Sequence, residues 1–149
     1  MARRFPLYID LTGRRVLVYG GGAVASRRVE TLSRFGPAVT VVAPEIAPAI
    51  RSLPGVAWVE DVFRPEAMPA ADLVLAATSD PEVNREIVRL CRQRGVPVNN
   101  ASDQDQCDFH FPAVAARGDV VVGVNAGGTD HGLVKRLAAA IRILLEGEL

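Results

Sequence analysis

The stretch Arg15-Val-Leu-Val-Tyr-Gly-Gly-Gly-Ala-Val-Ala-Ser-Arg27 decides how the rest of the chain is read. Val16 to Val18 form an apolar run suited to a fully buried strand, and the run passes directly into Gly20-x-Gly22-x-x-Ala25. Val24, Val29 and Leu32 then recur at helical spacing before Gly36. A strand that ends in a glycine turn and opens a helix lets backbone N–H groups reach a pyrophosphate, and the helix N-terminus adds positive potential there. Glycine turns also join strands to helices without any ligand. The strand before this one and the amphipathic helix after it favour a dinucleotide site.

Working outward, Ala38 to Ala43 reads as a second buried strand that stops at Pro44, and Ile46 to Leu53 as a short helix limited by Pro48. Val56 to Val62 alternates apolar and polar residues, the pattern of a half-buried third strand at the sheet's edge. Leu73 to Ala77 is a fourth apolar run. Thr78-Ser79-Asp80-Pro81 then supplies a capping side chain and a proline for a helix that turns Val83, Ile87, Val88 and Leu90 inward and ends at Gly95. Val96 to Val98 is a short fifth strand. Strands alternating with helices predict an α/β fold with a Rossmann-like parallel sheet, its ligand edge at the strands' carboxyl ends. Beyond Asn99 the pattern changes: Phe109 to Ala115 and Val120 to Asn125, separated by Arg117-Gly118-Asp119, read as an antiparallel hairpin. A C-terminal helix follows from Thr129, with Leu133, Leu137, Ala140, Ile141 and Leu144 on one stripe. The expected division is a nucleotide-binding domain over 1–104 and a dimerising hairpin with its helix over 105–149. A two-stranded hairpin is marginal alone, and a second copy of the chain is the natural partner.

Length and composition bound the function. A chain of 149 residues suits a single core without staples. Seventeen Lys+Arg balance seventeen Asp+Glu, so no overall field favours nucleic acid or an anionic membrane. Two cysteines make neither a disulfide framework nor a zinc site, and Cys107, Asp108 and His110 lie too close on one extended segment to close a tetrahedral metal site. No apolar run is long enough to span a membrane, and Met-Ala-Arg-Arg-Phe-Pro precedes no signal core. The expectation is a cytoplasmic protein with reduced thiols and no metal.

With these pieces placed, the chain resembles the precorrin-2 dehydrogenase family, also found as the N-terminal part of siroheme synthases. The matching stretches are Phe5-Pro-Leu-Tyr-Ile-Asp-Leu11, Val18-Tyr-Gly-Gly-Gly-Ala-Val-Ala25, Val41-Val-Ala-Pro44, Ala76-Ala-Thr-Ser-Asp-Pro81 with Asn84, Cys107-Asp-Phe-His-Phe-Pro112, and Gly127-Gly128. The resemblance implies NAD-dependent oxidation of precorrin-2 to sirohydrochlorin for siroheme or cobalamin, in some members with metal chelation as well. It also implies a homodimer joined through residues 109–125, and a tetrapyrrole cleft beside the coenzyme edge. In many relatives an aspartate in the loop after the fifth strand is essential. Counting back from Cys107-Asp-Phe, that position here is Ser102, followed by Asp103, and a serine found before the glycine pair in some bifunctional members is here Ala126.

On these grounds the coenzyme residues are Gly20, Gly22, Ala23, Val24, Ala25, Pro44, Glu45, Thr78 and Ser79. Glu45 stands about where a Rossmann acidic residue holds the ribose, with no adjacent arginine for a 2′-phosphate, so NAD is preferred to NADP. Arg117, Gly127, Gly128, Thr129 and Lys135 are the candidates for substrate carboxylates, with the last helix's N-terminus as an anion site and Thr129 or Asp130 as its competing cap. Ser102, Asp103 and His131 are the candidate catalytic groups. A serine is a poor base without an activating partner, whereas histidine exchanges a proton near neutral pH. His110, between two phenylalanines, is expected to pack at the dimer seam. Two alternatives share the glycine turn: a non-catalytic nucleotide-sensing module, and a carrier that binds tetrapyrrole without oxidising it.

Overall fold

A computed structural model describes residues 3–148. Arg15–Tyr19 (β1), Ala38–Ala43 (β2), Ala57–Glu60 (β3), Leu73–Ala76 (β4) and Val98–Asn100 (β5) form one parallel sheet in the order β3-β2-β1-β4-β5. Ala23–Ser33 (α1), Pro48–Arg51 (α2) and Pro81–Arg94 (α3) lie in the crossovers. The chain steps outward from β1 to β3 and then returns to the other side of β1, so the strand order reverses between β1 and β4. Tyr19 stands opposite both Val42 and Ala76, which brings the ends of three strands to one level.

The central strands are apolar from Val16 to Tyr19 and from Leu73 to Ala76 because both faces are covered there. Val16, Leu17, Val18 and Tyr19 are at most 2 % exposed. Leu17, Tyr19, Val74, Ala76 and Val98 pack with Ile87, Val88 and Cys91 of α3, and Phe63 meets the Tyr19 ring edge-on at 5.0 Å. Residues alternate across a strand, so Val16 and Val18 face the other layer, to which α1 contributes buried Ala25, Val29 and Leu32. Each large buried side chain is worth about 1.5–3 kcal/mol, against about 0–1 kcal/mol for an exposed ion pair. The sheet is therefore held by this packing.

Several sequence expectations shift. Val24 is 39 % exposed, and Ala25 takes the inward position instead. Pro48 begins α2 and does not limit it. All four residues of β3, the strand at one edge of the sheet, are exposed, and the Arg51 guanidinium lies 4.4 Å from the Trp58 ring. The fifth strand starts at Val98, where the expected one ends, and in α3 it is Asn84 and Cys91, with Ile87 and Val88, that are fully sequestered.

The remaining elements are the hairpin Ala113–Arg117 (β6) and Val120–Val124 (β7), joined through Gly118 and Asp119, and the helix His131–Glu148 (α4). The hairpin's first strand begins after Pro112, four residues later than expected at Phe109. The expected stripe on α4 is a correction of substance. Ala138 is 1 % and Leu145 9 % exposed, with Val134 and Ile141 half-buried, while Leu133, Leu137 and Leu144 are 39 %, 43 % and 58 % exposed. The helix packs on β6, where Ala115 is itself 1 % exposed. Arg142 Nη2 donates to the Val114 carbonyl at 2.9 Å.

The described residues form two compact units, one Asp10–Phe109 and the other the segment up to Ile9 together with the chain from His110. The boundary thus falls after Phe109, not after 104. Val98 N donates to Asp108 Oδ2 at 3.0 Å, Asp108 N to Val98 O at 2.9 Å, and Asn99 Nδ2 to Phe109 O at 2.8 Å, so residues 107–109 run as an attachment to β5. The N-terminal segment belongs with the hairpin, where Tyr8 donates its hydroxyl to the Val121 carbonyl at 3.0 Å.

Candidate functional site

The carboxyl edge of the sheet is organised by three consecutive glycines with different duties. Gly20 has φ +124°, its amide donates to Val42 O at 3.0 Å, and a Cβ on it would sit 2.2 Å from the Ala77 carbonyl oxygen. A Cβ on Gly21 would sit 2.0 Å from Glu45 O, and Gly21 O accepts from Ala47 N at 2.9 Å. The first two glycines therefore let the loops after β4 and β2 close onto the turn. Gly22 is different: a Cβ there would meet nothing within 4 Å.

Gly22 is also the N-cap of α1, and it has no side chain with which to cap it. The opening N–H groups of a helix have no acceptor within the helix, so those of Ala23, Val24 and Ala25 face an open approach. No acidic residue occupies the first turn. By contrast α3 is closed by its own side chain, Asp80 Oδ1 accepting from Glu82 N at 2.9 Å. An anion has room, donors and favourable potential at α1, which is the arrangement a dinucleotide's pyrophosphate requires. Pro44 and Glu45 are exposed beside this turn and Ser79 is exposed after β4, with Thr78 half-buried.

Behind these loops lies a clasp of neutral polar side chains. Asn84, on α3 and fully buried, accepts from Thr78 N at 3.1 Å and from Thr78 Oγ1 at 2.7 Å. Its Nδ2 donates to Thr78 O at 3.1 Å and to Ser102 Oγ at 3.1 Å. Ser102 Oγ in turn donates to Asn100 Oδ1 at 2.8 Å, and the same oxygen accepts from Ser102 N at 2.9 Å. The Ser102 proton is thus directed at a carboxamide, which does not activate it as a base. Asp103 caps the short turn Gln104–Gln106, its Oδ1 accepting from Asp105 N at 3.0 Å. Neither Asn84 nor Asn100 is among the site residues that the sequence predicts. The available signal was a polar residue at a position of α3 otherwise taken by Ile87, Val88 and Cys91.

Burial silences the ionisable groups beneath the edge: it pushes the Tyr19 phenol up to about 12 and the Cys91 thiol up to about 11. Among the described residues no group of three His, Cys, Asp or Glu side chains is placed to hold a metal ion.

The other predicted residues lie in the second unit. Asp130 Oδ1 accepts from Leu133 N at 2.7 Å, so the start of α4 is already capped by a carboxylate. Thr129 Oγ1 donates to Ala126 O at 2.8 Å, and Gly127 N to Asn125 Oδ1 at 3.0 Å. Gly127 and Gly128 both take positive φ in the turn before the helix. Arg117 Nη1 donates to the Leu145 carbonyl, tying the end of β6 to α4, and His131 and Lys135 are exposed on the first two turns of that helix. His110 precedes β6 and is not part of it; its Nδ1 faces Asn125 Nδ2 at 3.3 Å, and its Nε2 is buried without a hydrogen-bond partner.

Residues 7–113 match the family model described as "Putative NAD(P)-binding". The chain belongs to this NAD(P)-binding family. The match runs from before the glycine turn to the start of β6, and so includes every loop of the edge described above. The siroheme synthase of Methylobacillus flagellatus is 38 % identical to this NAD(P)-binding chain over 143 residues, covering 94 % of the chain and 31 % of that protein. The siroheme synthase of Sodalis glossinidius is 36 % identical over 143 residues, covering 94 % and 30 %. The chain thus spans less than a third of the length of these relatives. Among solved structures, SirC, a precorrin-2 dehydrogenase, superposes with a TM-score of 0.76 at 25 % identity, covering 96 % of this chain and 74 % of that one.

Proposed function

We propose that this NAD(P)-binding chain oxidises precorrin-2 to sirohydrochlorin with NAD⁺, in tetrapyrrole biosynthesis in the cytoplasm. The observation that carries the reading is the uncapped start of α1 behind Gly22, at the reversal of strand order. It is supported by a likeness to the SirC dehydrogenase that extends over 96 % of the chain and so reaches the hairpin and α4 as well as the sheet.

In this reading the amides of Ala23, Val24 and Ala25 hold the diphosphate, Glu45 meets the adenosine ribose, and Thr78 and Ser79 line the nicotinamide end. Bound NAD⁺ supplies the acceptor for a hydride. Precorrin-2 loses that hydride and one proton, leaving a more conjugated macrocycle. Ser102 holds its loop in place and does not take the proton, which passes to Asp103 or His131. Arg117, Lys135 and the turn Gly127-Gly128-Thr129 meet the carboxylates of the substrate.

The functional unit in this proposal is a homodimer. Leu133, Leu137 and Leu144 form an apolar row on α4 that stays partly exposed among the described residues, and the hairpin has two strands. A second copy would cover both.

The test is an anaerobic absorbance assay of precorrin-2 with NAD⁺ and separately with NADP⁺, repeated on Asp103→Asn and His131→Ala. Sirohydrochlorin should appear with NAD⁺, more slowly in the variant that has lost the proton acceptor. Binding of both ligands without turnover would replace the proposal with the carrier reading. Absence of binding to either coenzyme by calorimetry would end it.

A further inference from the structure

A carboxamide inside a helix and out of water is retained only where its hydrogen bonds are made, and an apolar side chain of similar shape replaces it without loss only where its partners are replaced as well. Asn84 occupies such a position: it is 0 % exposed, on the same face of α3 as Ile87, Val88 and Cys91. Its amide group has two acceptor and two donor positions, and all are filled. Three go to one residue, taking the amide, the carbonyl and the hydroxyl of Thr78, and the fourth goes to Ser102.

We infer that Asn84 is a positioning residue for the coenzyme edge, fixing the loop after β4 at Thr78 and joining it, through Ser102, to the loop after β5. A leucine in its place could fill the volume but could not orient a peptide. Thr78 is the second residue beyond β4, and the carbonyl just before it lies against Gly20, so its orientation sets how Thr78 and Ser79 present themselves beside the glycine turn. Ser102 passes the constraint to the end of β5 through its two bonds to Asn100 Oδ1. Asn84 itself is sealed beneath this surface and acts through Thr78. The inference rests on the reading that this edge holds NAD⁺.

Without the carboxamide, Thr78 to Asp80 loses its fixed conformation and must be ordered when the coenzyme binds, which weakens affinity. Re-fixing the backbone of a single residue on binding corresponds to about tenfold in Kd.

The experiment compares full-length Asn84→Leu and Ser102→Ala with the parent chain by three readouts: NAD⁺ affinity by calorimetry, amide hydrogen exchange, and urea unfolding. Asn84→Leu should bind NAD⁺ about tenfold more weakly, with faster exchange at Thr78, Ser79 and Asp80 while Leu17 and Val18 exchange as before. Ser102→Ala, which removes the two hydrogen bonds of the hydroxyl and leaves the three between Asn84 and Thr78, should show the same pattern at about threefold. A merely structural role for Asn84 would instead speed exchange everywhere together and leave the affinity of the folded protein unchanged, and that result overturns the inference. Should Asn84→Leu fail to fold, Ser102→Ala decides, and unchanged affinity and exchange in it overturn the inference equally. A parent chain that binds no NAD⁺ defeats the coenzyme reading and the inference with it. A parent that binds, with variants that bind as well, defeats the inference alone.

Discussion

Gly20 and Gly22 stand two residues apart in one turn, and alanine at each should produce opposite defects. For Gly20→Ala the new Cβ would lie 2.2 Å from Ala77 O, well inside the 3.0 Å that real Cβ atoms respect, and the residue would have to hold φ +124°. Backbone strain of this kind costs about 1–3 kcal/mol, and forced overlap with a main-chain oxygen about 1–3 kcal/mol. Against this, the loss of glycine's freedom in the unfolded chain returns about 0.4–1 kcal/mol. The net loss is about 3 kcal/mol, which for a unit of this size lowers the melting temperature by roughly 15 °C. For Gly22→Ala the backbone is extended and the Cβ meets nothing, so the cost is confined to a poorer cap, about 1 kcal/mol. Its methyl group, however, stands in the approach to the α1 amides. Losing one or two hydrogen bonds to a charged group weakens NAD⁺ binding by roughly 30-fold. Urea unfolding and calorimetry on both variants separate the two effects. Equal urea midpoints for the two variants, or undiminished NAD⁺ affinity in Gly22→Ala, would refute the division of labour argued for this turn.

Arg15 and Asp72 give a second prediction. The Arg15 guanidinium and backbone amide hold the Asp72 carboxyl at about 2, below its ordinary 3.8. A depressed carboxyl stabilises the fold fully above its unfolded value and loses that contribution as pH falls toward the folded one. Asp72→Asn should therefore lower the urea midpoint at neutral pH and flatten its decline between pH 3.8 and about 2. Cys91 and Cys107 are both buried, and burial raises the Cys91 thiol to about 11. Neither should react with a thiol reagent at pH 8 until the chain is unfolded, read as thiols titrated with and without denaturant. Leu137→Glu combined with Leu144→Glu, both on the outer row of α4, should leave the circular dichroism spectrum in place but convert a dimer to a monomer in sedimentation. An unchanged sedimentation coefficient would count against the proposed second copy.

The parallel sheet could be read because each of its cues is local. Val16 to Val18 lead into the glycines, Asp80 and Pro81 start α3, and Gly95 at φ +67° ends it. What could not be read depends on neighbours that the pattern does not contain. On α4 nearly every turn carries apolar residues on two sides, so a single stripe drawn from periodicity could fall on the wrong one, and the row that packs is Val134, Ala138, Ile141 and Leu145. At β3 the alternation resembles a half-buried strand, yet no layer covers that edge. Of the candidate site, the glycine turn and the loops at Pro44 and Thr78 were legible from strand ends alone. The clasp was not, because the bonds of Asn84 reach Ser102, 18 positions away. Nor was the engagement of Arg117, whose partner Leu145 lies 28 positions on.

The clasp behind the edge consists of two asparagines, a threonine and a serine, none of which gains or loses a proton at any physiological pH. The scaffold that presents the coenzyme therefore holds one shape from mildly acidic to mildly alkaline solution. A bell-shaped rate profile for the proposed oxidation would then report the substrate and the group that receives its proton, with no contribution from a rearranging floor.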